Sequence, residues 1–402
     1  MTAPHVIVVT IDGLGVAAAG AYGQTSLPTP GWDALATSAV TFDFVDAPGA
    51  SREAILAAFA RTATPSVVDA LKGLAESGAL VRLAGDLEDF AKPGAGVFAA
   101  CFGDRSSFDL EPPTTPAEGE DEALSLRWLA KAEREILALA TAPPERSHVL
   151  WLHHAGAYGP WDAPLEWREA LRDEEDPPAY AEVAPPQDAA PADRDPDRFL
   201  PFTFAWAGQA AAWDRLAEGL HLLWKRLDAK RPTTLIVLGL RGFPLGEHGI
   251  VGDGAGEAVG PPLHGERLHV PFFVLPPGGT FPGKRALGVR RSDALLAKLL
   301  NAAETSGDES AFGTLLEAET SSEPDLSACA VVEEGASLSV RTALWRYLRE
   351  GERHRLYLKP DDKWEANDVA SRRRDTVEAF ERWLEERTRD QTLPLPDEAT
   401  TM

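Results

Sequence analysis

The chain has 402 residues, 44% hydrophobic and 25% charged, the composition of a globular protein with a sizeable core. Thirty-nine Lys and Arg stand against 63 Asp and Glu, a formal charge of −24, which argues against nucleic-acid binding and against docking on anionic membranes. No stretch approaches the ~18 apolar residues of a membrane span, and MTAPHVIVVTIDGLG lacks the marks of a signal peptide, so the expected location is the cytoplasm. Cys101 and Cys329 define no disulfide framework and read as buried, reduced thiols.

Residues 5–11 (HVIVVTI) are β-branched and apolar on both faces, the pattern of a central parallel strand. Asp12 follows at its carboxyl end, where an acid is either a turn residue or a site candidate. Ser51 and Arg52 open an amphipathic helix over 54–61; Ser51 is a preferred N-cap, and backbone N–H groups there favour anions. Helices are expected at 67–77 and 120–140, and strands at 78–82, 96–101 and 147–153. His153 and His154 are adjacent and should face opposite sides of a strand. Residues 162–198 are rich in Pro, Asp and Glu and read as an insertion or mobile surface loop.

A helix at 202–228 with apolar residues every three or four positions precedes a buried strand at 234–238. That strand runs into LGLRGFPLGEHGIVG, 238–252, a glycine-rich loop where an open α/β sheet places its ligands. The glycine-rich 252–260 lacks the Lys-Ser/Thr of a phosphate-binding loop. A last main strand at 270–274 and a helix at 290–303 follow; from about 327 the texture changes to short antiparallel strands, then a helix at 374–387 and a frayed tail.

Several motifs carry a resemblance. They are Asp12 with Gly20-Ala-Tyr-Gly23 and Thr29-Pro30; Leu245-Gly-Glu-His-Gly249 followed by Val270-Pro271; Arg341-Thr-Ala-Leu-Trp345-Arg-Tyr347; and Leu356-Tyr357 followed by Asp362, Glu365, Asn367 and Val369-Ala370. In this order they resemble the sulfatase family of the alkaline phosphatase superfamily over nearly the whole chain. The resemblance implies an α/β fold: a mostly parallel central sheet flanked by helices, with a small C-terminal antiparallel sheet plus helix. It divides the chain into 1–305 (with 162–200 as an acidic, Pro-rich insertion), 306–390, and a tail over 391–402.

The same resemblance implies a degenerate site. The first metal ligand of the family falls on Asp12, the Asp-His pair before LGEHG on Leu240 and Arg241, the nucleophile on Pro48 ahead of Ser51-Arg52, and the acid His on Tyr158. Leucine cannot ligate a metal, and guanidinium is a permanent cation without a lone pair. Proline has no nucleophilic atom, and a phenol near pKa ~10 is a poor acid at neutral pH. The expectation is a non-catalytic relative whose relic site comprises Asp12, Pro48, Arg52, Tyr158, Leu240 and Arg241, with His264 near but out of register. Arg241 is expected to replace the missing cation by pairing with Asp12, and with Arg52 to offer a place for an anion. No cofactor is expected; the expected partner is a protein or an anionic ligand. The alternative is a divergent sulfuric or phosphoric ester hydrolase with Ser51 as nucleophile. Its divalent ion (Ca, Mg, Mn or Zn) would sit on Asp12, His154 and His248, or on His264. A third reading makes the acidic 162–198 segment an interaction surface.

Overall fold

A computed structural model describes residues 4–61, 66–90, 95–189, 196–254, 263–305, 309–320, 325, 327–387 and 394–400. Among these the strands are β1 (His5–Ile11), β2 (Val40–Asp46), β3 (Leu80–Gly85), β4 (Asp104–Ser107), β5 (His148–His154), β6 (Asp188–Ala189), β7 (Thr233–Gly239), β8 (Ile250–Val251), β9 (Phe272–Leu275), β10 (Lys284–Arg291), β11 (Ala330–Glu334), β12 (Ser337–Arg341), β13 (Trp345–Glu350) and β14 (Arg353–Leu358). The main sheet has eight strands in the order β10-β2-β9-β7-β1-β5-β3-β4. Neighbours are parallel except at β9, which runs antiparallel to both β2 and β7. The expected α/β architecture, a mostly parallel sheet between helices, is what forms.

β1 shows why the sheet must be central. Its Val6 and Val8 pack into one apolar layer with Trp151, Ile236 and Leu238. Its Ile7, Val9 and Ile11 pack into the other with Leu152, Val237 and Trp213. A strand buried on both faces needs helices on both, and the helices Arg52–Phe59, Val67–Glu76 and Ser292–Thr305 contribute to the first layer. Pro30–Ser38, Leu124–Leu139 and Leu200–Asp228 contribute to the second.

The expected strand at 96–101 is instead a single helical turn, Gly96–Ala99, with Phe98 wedged against Phe59, Phe90 and Trp151. A short apolar run does not carry its own period, and tertiary packing chose the helix. Strand β10 lay in a stretch with no strand signal; its charged residues sit on an edge. The acidic 162–198 stretch is not a plain surface loop in its described part. Arg168 is fully buried and donates to the carbonyls of Ala163, Tyr180, Glu182 and Trp161, so the chain is wound around one guanidinium. Residues 190–195 and 255–262 lie outside the described residues. In the tail, Leu395 and Ala399 are buried against the C-terminal core. Cys101 is buried and Cys329 half-buried. Among the described residues no helix is long and apolar enough to cross a membrane.

The C-terminal sheet, β11-β12-β13-β14, is antiparallel, and Phe380 and Trp383 of helix Arg374–Glu386 cover one face. It docks through buried charge. Arg346 forks onto Asp46 at the end of β2, with both bonds 2.9 Å. Its Nε lies 2.7 Å from Glu365 Oε1 at an angle that makes this an ion pair rather than a hydrogen bond. Glu365 also meets Lys359 Nζ at 3.0 Å and accepts from Gly265 N at 3.0 Å. Burial alone would raise the Glu365 carboxyl, but Arg346, His264 and Lys359 hold it well below the usual range. A Cβ at Gly265 would lie 2.7 Å from that carboxylate, so a larger residue there would press on an anion held by Arg346 and Lys359.

Two stacked imidazoles, His248 and His264, complete the seam, with centroids 3.6 Å apart. His248 Nδ1 faces Glu266 Oε1 at 2.7 Å and its Nε2 faces the Glu365 carbonyl at 3.1 Å. Both partners only accept, so both nitrogens donate and the ring is an imidazolium. Burial opposes this, but Glu266 prevails and lifts the pKa to about 9.

Two outcomes follow for stability. Arg346→Met leaves two carboxylates buried beside fewer cations and should cost about 3–5 kcal/mol in urea unfolding, against less than about 0.5 for exposed Glu385→Gln. The His248 pKa is above its unfolded value of 6.5, so its contribution is fully present below about pH 6.5 and is lost as pH rises through 9. Wild type should therefore lose on the order of 2–3 kcal/mol more than His248→Gln between pH 6.5 and 9.5, read from paired unfolding curves.

Candidate functional site

β1 and β7 are neighbours in register, Ile11 opposite Gly239, so Asp12 and the Leu240-Arg241 pair leave the sheet at the same level. The Leu240 amide still donates to Ile11 O at 3.0 Å. Successive side chains then diverge: Leu240 enters the apolar layer and Arg241 turns to Asp12. Arg241 Nε donates to Asp12 Oδ1 at 2.9 Å and Nη2 to Oδ2 at 3.4 Å. Arg52, at the first turn of its helix, brings Nη2 to 2.8 Å and Nε to 3.2 Å from Oδ2. Asp12 is completely buried. Burial favours its neutral form, yet the charges of Arg241 and Arg52 hold its carboxyl below the usual range.

Arg241 uses four of its five N–H donors within the cluster. Its Nη1 donates to Ala50 O at 2.9 Å and to Asp253 Oδ1 at 3.1 Å, and Arg267 shares that Asp253 oxygen at 2.8 Å. Its Cζ stands 3.5 Å from the centre of the Tyr158 ring. Burial would drain the charge from Arg241, but Asp12 and its other anionic neighbours raise its pKa instead. Tyr158 presents its π face rather than its proton: the hydroxyl donates to Gly242 O at 3.4 Å, and burial pushes the phenol up to about 12. The turn that carries it is tight, since a Cβ at Gly156 would lie 1.8 Å from Asp12 O.

The nucleophile loop is also filled. Pro48 is buried, and Ser51 caps its helix by accepting from Ala54 N at 3.2 Å. Glu334, the last residue of β11, sets Oε2 at 2.7 Å from Ala50 N and 3.2 Å from Ser51 N. These two amides, with the helix N-terminus behind them, are the local anion-binding feature, and a carboxylate of the C-terminal subdomain occupies it. Sequence reasoning missed Glu334, Asp253 and Arg267.

The fallback metal ligands do not assemble. His154 leaves β5 on the Trp128 side and accepts from Gly156 N at 2.7 Å, while His153 bonds Thr10 on the opposite face. His248 lies in the docking seam rather than beside Asp12. His264 lies there too: its Nε2 accepts from Arg355 Nη1 at 2.8 Å, so its Nδ1–H donates to Glu365 Oε2 at 2.9 Å. Potential ligand atoms of His248, His264 and Glu266 fall within 4.8 Å of one another, but all four imidazole nitrogens are already engaged. At Asp12 the fit is poorer still: both carboxylate oxygens face N–H donors, and the adjoining side chains are a leucine and two cations. This set does not suit a divalent ion.

No protein-family model and no curated protein matches the sequence. Solved structures do. The phosphonate monoester hydrolase of Agrobacterium radiobacter superposes with a TM-score of 0.66 at 14% identity, over 95% of this chain and 94% of that one. A protein solved with its substrate D-glucosamine-2-N,6-O-disulfate gives 0.65 at 14%, covering 95% and 97%. A 2-O GAG sulfatase gives 0.60 at 15%, covering 96% and 91%. At such identities the likeness speaks for the fold alone: this chain is folded as the sulfatases and their alkaline-phosphatase-like relatives are.

Proposed function

We propose that this chain is a non-catalytic member of the sulfatase fold, retained for binding rather than for ester cleavage. The observation that carries the reading is the closed charge cluster at Asp12. Ester cleavage on this scaffold needs a nucleophile, a cation to steady it and an acid for the leaving group. At the matched positions stand Pro48, a guanidinium already spent on Asp12, and a phenol held near 12. Glu334 on the Ala50 and Ser51 amides fills the anion-binding position at this helix N-terminus. With Arg52 and Arg241 committed to a carboxylate, an anion reaches this site only by displacing Glu334.

A second reading has one observation in its favour. The chain shares its fold end to end with hydrolases of sulfate and phosphonate esters, and Ser51 stands at a helix N-terminus beside Arg52. It would then be a sulfuric or phosphoric ester hydrolase using Ser51.

Elemental mass spectrometry of the purified protein, dialysed without chelator, separates the two. The first reading expects less than about a tenth of an equivalent of Ca, Mg, Mn or Zn. A near-stoichiometric metal, or aryl sulfate or phosphate turnover that disappears in Ser51→Ala, would establish the second. The cluster itself is testable: Arg241→Met strips Asp12 of one of its two cations and should destabilise the fold by about 3 kcal/mol. Exposed Lys363→Ala should change it by less than about 0.5.

A further inference from the structure

A cavity of about 440 Å³ opens where β2 meets the C-terminal subdomain. Asp12, Arg52 and Arg241 do not line it. Its floor holds Arg341, Arg346, Lys359 and Glu365, aromatic side chains of Tyr22, Phe44, Trp206 and Phe243 form walls, and Lys363 and Trp364 stand at the mouth.

The charges in the floor do not close. Arg341 on β12 is directly opposite Arg346 on β13, an arrangement that opposes like charges across a strand pair. Arg346 is neutralised by Asp46 and Glu365, and Lys359 leans on the same Glu365. Three cations therefore share two carboxylates, and Arg341 is the cation left over. It is 4% exposed, and its buried Nη1 has no hydrogen-bond partner among the described residues. Its other notable neighbour is a π face, the Phe44 ring 5.2 Å from Cζ. Burial and the repulsion of Arg346 pull its pKa down to about 9, the mark of a cation short of compensation. Neighbouring cations lack this deficit: Arg285 pairs with Asp43, and His248 cancels Glu266.

A buried donor without a partner is unfavourable unless a water or a ligand supplies the acceptor, and Arg341 lines a cavity large enough to hold a ligand. We propose that this cavity binds a small organic acid, its carboxylate received by Arg341 and its apolar or aromatic body held against the aromatic walls. The planar guanidinium matches a carboxylate in two parallel bonds. One uncompensated charge balances a monoanion. A phosphate dianion would exceed that single charge and leave negative charge beside Glu247, which also lines the space. The volume is in the range of small-molecule sites, and apolar and aromatic walls with a few placed polar groups are their usual make-up. This inference does not rest on the reading of the Asp12 site and stands whether or not that site is catalytic.

The test is calorimetric titration of the full chain with 1-naphthoate, alongside 1-naphthol, inorganic sulfate and inorganic phosphate. The expected result is saturable one-to-one binding of 1-naphthoate and none of 1-naphthol. Affinity should fall about tenfold or more in Arg341→Met and severalfold in Trp364→Ala, a residue that is 53% exposed and removable without harm to the core. Because Arg341→Met deletes an uncompensated charge, its unfolding midpoint should not fall. No binding at millimolar 1-naphthoate, or equal affinity in wild type and both variants, would overturn the proposal. So would sulfate or phosphate binding more tightly than 1-naphthoate, since the site would then take a bare tetrahedral anion.

Discussion

A carboxylate buried at the end of a central strand must be neutralised, and at Asp12 two guanidinium groups do it. From that requirement much of the surrounding geometry follows. Arg52 must sit at the first turn of its helix to reach Oδ2, and Arg241 must turn inward while Leu240 turns into the core. The remaining N–H groups of Arg241 then need acceptors, which Ala50 O and Asp253 supply, and Tyr158 closes the last face with its ring. A guanidinium used this way is a fixed structural cation. It brings no exchangeable coordination position, and that is the physical difference between this cluster and a metal centre.

The docking seam solves the same problem with different parts. Asp46 and Glu365 are buried between the two sheets and are met by Arg346, Lys359 and the Gly265 amide. Glu365 adopts a left-handed backbone, φ 55, unusual for a residue with a side chain; its anchored carboxylate holds it there. Such networks add little net stability compared with an apolar core, but each is intolerant of losing one member, so they fix how the subdomains meet. Glu334 extends the coupling into the Asp12 site: the subdomain that docks through Arg346 also delivers the carboxylate that fills the amides before the helix at Arg52.

Much of the fold was legible because its signals are local. The two-faced apolar run of β1, the three-and-four spacing of Leu200–Asp228 and the alternating short strands after residue 327 each state their own period. Arg341, Arg346 and Glu365 were even visible as members of family-like motifs, though nothing local told which of them would be paired. Where local signals were weak, packing decided. Residues 96–101 read as strand but became a helical turn beneath Trp151. The acidic composition of 162–198 concealed the buried Arg168, because its acceptors are backbone carbonyls that composition does not register.

By itself the sequence determined which atoms were available to the Asp12 site: one carboxylate, a leucine, two arginines, a tyrosine and no thiol. That inventory already limits the chemistry, because residue type sets what can donate, accept or ligate. Only the tertiary structure decided the pairings. Arg241 reaches Asp12 across 229 positions of sequence and Glu334 reaches Ser51 across 283. Arg346 reaches Asp46 across 300 and leaves Arg341 without an equal partner. Charges so far apart in the chain have no local period or spacing that joins them. Their compensation is fixed only when the sheets close and water is excluded, which is when an unpaired charge becomes unfavourable enough to matter.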